Sequence, residues 1–179
     1  MKFSTTKNEN SCCDTSTDTN CCDTTQSSDC GCSSTPKAEH TCPHCKEAGL
    51  KISEVTLKAQ LKKEHYSELK NEANNFNFCK NPACDTVYYS NDGSESYNQS
   101  QVKSKITVKN DDPKTPLCYC KKLLKRDVIK MIEDGEENIS TKIKTKISEG
   151  KTFCEKANPK GSCCTSEIKS FLKNYNIEF

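Results

Sequence analysis

Cysteine constrains this chain more than any other residue type. Fifteen thiols are spread over 179 residues, and nearly all of them stand in close pairs. Large apolar side chains are scarce by comparison. Leu, Ile, Val and Phe together number 28, Trp is missing, and mean hydropathy is −0.87. That is below the roughly one-fifth of residues under which a chain tends to stay disordered. Burial alone therefore cannot stabilise an ordinary core, and cross-links must contribute, as disulfides or as metal-thiolate bonds.

The compartment separates these two routes. The chain opens Met-Lys-Phe-Ser-Thr-Thr-Lys, with a single Phe where a secretory leader needs about seven or more apolar residues. The longest uninterrupted apolar stretch outside the Cys pairs, Val87-Tyr88-Tyr89, is far short of the roughly 18 residues that cross a bilayer. The expectation is a cytoplasmic protein with reduced thiols, and neither membrane insertion nor nucleic-acid binding. An odd number of Cys, in two distinct constellations, also favours metal.

Three segments follow from composition. Residues 1–40 contain almost no apolar side chain besides Met1, Phe3 and Ala38 and are rich in Ser, Thr, Asn and Asp, the signature of a disordered tail. Cys12-Cys13 and Cys21-Cys22 sit in a short repeat, SCCDT and NCCDT, and Cys30-Gly31-Cys32 follows. Such pairs on a solvated backbone suit soft ions such as Cu(I), Zn(II) or As(III), although low-complexity drift accounts for them equally well.

Residues 41–112 read as a small β subdomain built on zinc knuckles. Cys42-x2-Cys45 and Cys79-x4-Cys84 lie 33 residues apart. Two short-loop pairs of this kind complete the four-thiolate tetrahedron of structural zinc. Between them a helix is expected from Ser53 to Lys70, with Ser53 as N-cap and Leu57 and Leu61 on one face. Phe76–Phe78 and Thr86–Tyr89 read as strands around the second pair, and Asn91-Asp92-Gly93 as a turn. Alternation over residues 102–109 predicts a half-buried strand with Lys103, Lys105 and Lys109 on its outer face, a solvated surface or a docking patch for a redox partner. Asn110–Lys114 breaks the pattern.

Cys-Pro-His-Cys at 42–45 is also the motif of thioredoxin-like oxidoreductases. That reading lacks its context, because the residues before Cys42 have no strand pattern. His40 and His44 are spare once four Cys are available, and the chain is read as non-enzymatic.

Residues 113–179 read as helical. Apolar periodicity predicts helices over about 121–133, ended by Gly135; from Asn138, as cap, to Gly150; and from about Thr165, with Ile168, Phe171, Leu172 and Tyr175 as its stripe. This part carries Cys118-x-Cys120, then Cys154 after 33 residues, then Cys163-Cys164. A Cys-x-Cys pair on one iron and two later Cys on the other suit a [2Fe–2S] cluster. Spacing leaves the choice between Cys163 and Cys164 open, with a lean to Cys164 at the start of the last helix. A second zinc site from the same thiols is the bland alternative.

The order CPHC, FCKNPACDTVYY, PLCYC and CEKANPKGSCC, over about residues 41–175, resembles the cysteine-rich domain of CopZ-type metallochaperones. The last third is similar to bacterioferritin-associated ferredoxin. The resemblance implies zinc on Cys42, Cys45, Cys79 and Cys84, and a [2Fe–2S] cluster on Cys118, Cys120, Cys154 and one of Cys163 or Cys164. It also implies a role in copper homeostasis, with single-electron transfer, reduction of Cu(II) to Cu(I), and a copper-exporting ATPase as a partner. Two departures stand out. Thr152 occupies a position where the family has a further Cys, and the residues to Phe179 contain no C-terminal heavy-metal-associated domain. The expectation is that the tail thiols bind Cu(I) in its place. The rival expectations are a ferredoxin-like electron carrier and a thiol-rich metal buffer.

Overall fold

The computed structural model describes residues 40–179 as a mixed α+β fold. The six tail cysteines expected to take Cu(I) lie outside these residues.

The first half is a four-stranded antiparallel sheet in the order β1 (Leu50–Lys51), β2 (Phe76–Phe78), β3 (Thr86–Ser90), β4 (Ser96–Asn98). Phe76, Asn77 and Phe78 pair with Ser90, Tyr89 and Tyr88. Every side chain of β3 is buried, because both of its faces are covered. Val87 and Tyr88 join the main core with Ile52, Leu57, Leu61, Phe76, Phe78, Val102 and Ile106, whereas Tyr89 packs against the cysteines of the knuckles. Tyr88 and Tyr89 point to opposite faces, so one strand separates the two, and an irregularity in register between Thr86 and Tyr88 lets Val87 share the core face with Tyr88. The turn after β3 runs through Gly93, at φ +72°.

The helix expected from Ser53 is two helices. The Ser53 side chain accepts from the Thr56 amide and starts α1 (Glu54–Gln60); after a break comes α2 (Lys63–Ser67). Leu61 adopts an extended conformation and bridges to Val102. On either side Lys103 N–H donates to Gln60 O, and Lys62 N–H donates to Gln101 O. Tertiary backbone pairing overrides a helical pattern here, since it keeps Leu61 fully buried while satisfying the peptide groups of two segments.

The strand expected over residues 102–109 does not form. Val102 and Ile106 are buried and Val108 packs on the same core, but the chain bends between them and ends in a 3-10 turn over Thr107–Lys109. Beyond the single bridge at Leu61 the segment pairs with no strand among the described residues. Instead the Thr107 amide and hydroxyl engage the Tyr119 hydroxyl, and Thr107 Oγ1 donates to Pro116 O.

In the second half, β5 (Pro116–Cys118) and β6 (Leu123–Leu124) make a tight hairpin, with Lys122 at φ +52°. The hairpin absorbs the first residues of the expected helix, so α3 runs only from Lys125 to Glu133. There follow α4 (Ile139–Ser148), α5 (Cys154–Ala157) and α6 (Thr165–Lys173). Gly135 and Gly150 have positive φ and terminate α3 and α4 as expected. Asn138 is in the N-cap position of α4 but is left-handed, and its side chain makes no capping bond. The core gathers Leu117, Leu123, Val128, Ile139, Ile143, Ile168 and Leu172 around Cys118 and Cys164. Of the predicted α6 stripe, Ile168 and Leu172 are buried, while Phe171 is peripheral and Tyr175 exposed. No described helix is long and apolar enough to cross a membrane.

Candidate metal centres

The first centre is assembled by two loops. Residues 41–48 form a knuckle closed by a Thr41–Ala48 bridge, in which Cys42 N–H donates to Glu47 O and Lys46 N–H to Cys42 O, with Lys46 left-handed at φ +63°. The second knuckle joins β2 to β3. Cys79 N–H donates to Val87 O, Cys84 N–H to Asn81 O, and the Asn81 carbonyl oxygen of the side chain accepts from the Ala83 amide. Asn81 Nδ2 also donates to Glu47 Oε1 at 2.6 Å, tying one knuckle to the other.

The four sulfurs of Cys42, Cys45, Cys79 and Cys84 lie within 4.8 Å of one another. Cys42–Cys84 is 4.0 Å and Cys45–Cys79 is 3.6 Å. With Zn–S bonds of about 2.3 Å, the edge of a tetrahedron is about 3.8 Å, so this group is capable of holding a tetrahedral ion. Cys42 and Cys79 are buried, and Cys45 and Cys84 half-buried. Gly49 belongs to the same construction: a Cβ there would lie 2.2 Å from the Tyr89 hydroxyl and 2.8 Å from Phe78 O. Tyr89 uses that space to donate to His40 O at 2.5 Å, closing the wall behind the sulfurs.

Lys109 supplies the compensating charge. Its ammonium is 3.7 Å from Cys79 Sγ and donates to Cys84 O at 2.9 Å and to Asn81 O. Burial pushes the Cys79 thiol up to about 12, with the Asn81 amide and Lys109 opposing that rise. Cys42 is also pushed up by burial, but the amides of Cys45 and His44 together with the thiols of Cys45 and Cys79 outweigh it and bring the thiol below its ordinary value.

The three lysines expected on one outer face are therefore dispersed. Lys103 bonds the Lys58 and Ala59 carbonyls at the end of α1, Lys105 pairs with Asp112, and Lys109 turns in to the sulfurs. They form no common docking patch. His44 is exposed and within 3.2 Å of Ser96 Oγ, while His40 is half-buried and contributes its carbonyl. Alternation alone could not reveal Lys109, because its placement depends on the 3-10 turn.

The second centre draws on three separated segments. Cys118 ends β5, Cys120 occupies the hairpin turn, Cys154 begins α5, and Cys163 and Cys164 precede α6. Cys118–Cys120 is 3.7 Å and Cys120–Cys154 is 3.9 Å. A hydrogen bond from Cys164 is the main reason that the Cys118 thiol is held down to about 6, and the same contact drives Cys164 upward. Burial pushes Cys154 up to about 11. Cys163 is exposed and lies 3.0 Å from Thr165 Oγ1, a contact that lowers its thiol. Among the described residues only the first four sulfurs close to within 4.8 Å as a group. In the second set Cys118, Cys120 and Cys154 follow one another at 3.7 and 3.9 Å, and the adjacent Cys163 and Cys164 add two further thiols, but the five do not close to one tetrahedral group.

α5, four residues long, was not anticipated from the sequence. Its carbonyls are taken by the first half: Thr56 Oγ1 donates to Glu155 O at 2.8 Å, and Gln60 Nε2 to Lys156 O at 2.7 Å and Ala157 O at 3.0 Å.

Comparison with known proteins agrees with the geometry of the first centre. Residues 39–103 match the family model zf_CopZ, described as a zinc binding domain. The copper chaperone CopZ of Archaeoglobus fulgidus is 27% identical over 123 residues, which are 69% of this chain and 57% of that protein. The chain thus spans little more than half the length of that relative. The X-ray structure of the Archaeoglobus fulgidus CopZ N-terminal domain superposes with a TM-score of 0.62 at 23% identity, covering 78% of this chain and 99% of that one. Residues 39–103 are thus similar to a zinc binding domain, within a fold shared with the CopZ N-terminal domain.

Proposed function

We propose that this protein is a cytoplasmic, non-enzymatic metal-binding chaperone of copper homeostasis, with structural zinc on Cys42, Cys45, Cys79 and Cys84. A second group, a [2Fe–2S] cluster, is held by Cys118, Cys120, Cys154 and one of the Cys163–Cys164 pair. The observation that carries the reading is the contrast between the two sets of thiols. One closes to tetrahedral edges of 3.6 and 4.0 Å, and the other offers five thiols from three segments that do not close to one tetrahedral group. A compact S4 set suits one ion, and a wider set of thiols suits a group of two metal atoms.

A [2Fe–2S] group bound by these thiols would supply one electron at a time, which is the stoichiometry of converting Cu(II) to Cu(I). The residues present fit it. Cys118 and Cys164 offer buried sulfurs inside the helical core, while Cys120, Cys154 and Cys163 reach the surface. Cys164 is the better fourth ligand on burial, since Cys163 is exposed and lies 3.0 Å from Thr165 Oγ1. Cu(I), as cargo, suits the tail thiols at Cys12, Cys13, Cys21, Cys22, Cys30 and Cys32, since thiolate selects soft ions, and a copper-exporting ATPase is the natural recipient.

Anaerobically purified full-length protein tests this directly. One zinc and two irons per chain are expected, with a brown colour bleached by one electron on reduction. A colourless protein with two zinc ions would replace the cluster by a second zinc site. Titration with Cu(I) of the full chain and of residues 41–179 tests the tail, whose role is refuted by equal stoichiometry.

A further inference from the structure

The two halves are linked by a brace of hydrogen bonds between α1 and α5 whose donors, Thr56 and Gln60, are ligands of neither centre. α5 has four residues, and its N-cap, Phe153, makes no side-chain capping bond. A single turn of helix is not stable on its own, because nucleation fixes several residues for one hydrogen bond. Its free carbonyls must find partners outside the helix. Three of them, on Glu155, Lys156 and Ala157, accept from Thr56 and Gln60 of α1. Ser53, while capping α1, donates to the Glu155 carboxylate at 2.7 Å, and Tyr88 of β3 donates to Pro159 O at 2.7 Å. Gly161, at φ +74°, lies so close to α1 that a Cβ would stand 2.7 Å from Thr56 Oγ1. Thr56 and Gln60 are buried, and Gln60 Oε1 has no partner among the described residues. Its amide is thus committed to donation into α5.

We propose that Thr56 and Gln60 are positioning residues for Cys154, so that the zinc half forms the seat on which this cluster ligand is ordered. The proposal rests on the reading of Cys154 as a [2Fe–2S] ligand. It implies an order of assembly. The knuckles and α1 fold with zinc, α5 then docks, and only afterwards are all the thiols of the second centre in place. Loss of zinc releases Cys154, whereas loss of the cluster leaves zinc bound.

The test uses the full chain with three substitutions: Thr56→Val, which keeps the shape and removes the hydroxyl; Gln60→Met, which removes both amide donors; and Thr56→Ser, which restores a hydroxyl. Zinc-loaded protein from iron-limited cells is alkylated with iodoacetamide and mapped by mass spectrometry, with Cys120 in the hairpin as internal reference. Thr56→Val and Gln60→Met should raise the Cys154 rate about 10-fold or more relative to Cys120, the order expected for losing neutral hydrogen bonds at a docked turn. Zinc content should stay at one per chain, and Thr56→Ser should return to the wild-type rate. In iron-loaded protein the same two variants should change the visible circular dichroism and release iron faster to a chelator. Unchanged Cys154 alkylation, or loss of zinc from Thr56→Val, overturns the proposal. Failure of the cluster reading appears separately, as wild-type protein without iron, while the alkylation result still reports on the brace.

Discussion

Replacing Lys109 by Met tests how much of the zinc affinity lies outside the sulfurs. The ammonium is 3.7 Å from Cys79 Sγ and bonds two carbonyls of the same knuckle. At that distance two unit charges attract by about 4–5 kcal/mol for an effective dielectric of about 20. Lys109 is half-buried, so solvent and salt reduce this towards the roughly 1.5–3 kcal/mol of a hydrogen bond to a charged group. Met fills the space of the stem and keeps its packing, which isolates the charge. The expected loss is therefore about 10- to 100-fold in zinc affinity, the usual range for a partner lying behind the ligands. Competition against a chromophoric zinc chelator at neutral pH measures it. Lys105→Met is the control, because Lys105 pairs with Asp112 and should leave affinity unchanged. A loss under threefold for Lys109→Met, or an equal loss in both variants, would refute the electrostatic argument.

Three further outcomes follow from the same structure. Gly49→Ala places a methyl 2.2 Å from the Tyr89 hydroxyl and should cost about 1–3 kcal/mol by overpacking, read as a lower urea midpoint and faster zinc release. Burial pushes the Glu95 carboxyl up, but the amides of Lys70 and Asn71, the Asn71 side chain and the Tyr97 hydroxyl outweigh it, and its value falls below the ordinary one. Stability from this group is thus present above the unfolded carboxyl's pKa and lost as pH falls through the folded value; Glu95→Gln should flatten that part of the acid limb in urea titrations. Cys118→Ser should abolish the visible absorption of the iron-loaded protein and leave one zinc in place; retained colour would remove Cys118 from the ligand set.

The local features were the readable ones. The knuckle spacing, β2 and β3 around Cys79 and Cys84, the caps at Ser53, Gly135 and Gly150, and the buried face of α6 at Ile168 and Leu172 each depend on residues a few positions apart. What escaped depends on distant partners. Leu61 leaves the helix because the backbone beside Val102 offers a bridge, and Leu57 and Leu61 would look the same on a continuous helix. The run from Val102 to Val108 buries its apolar residues as alternation predicts, yet bends, because it has almost no strand to pair with. Lys109 reads as a surface lysine until the turn aims it at Cys79. α5 is too short to carry a periodic signal and takes its hydrogen bonds from a helix almost 100 residues earlier.

The alternation within β3 also bears on how such a chain can vary. Val87 and Tyr88 belong to the core and Tyr89 to the sulfur cage, so this strand has no dispensable side. Inserting one residue before Tyr88 would exchange the two faces of every residue after it, sending one tyrosine into the cage and the other into the core. The Asn91–Ser94 turn, by contrast, bonds mostly to itself and to the ends of β3. Length differences among relatives of this chain should accordingly gather in that turn and spare the five residues before it, a pattern that an alignment can check without any measurement on the protein.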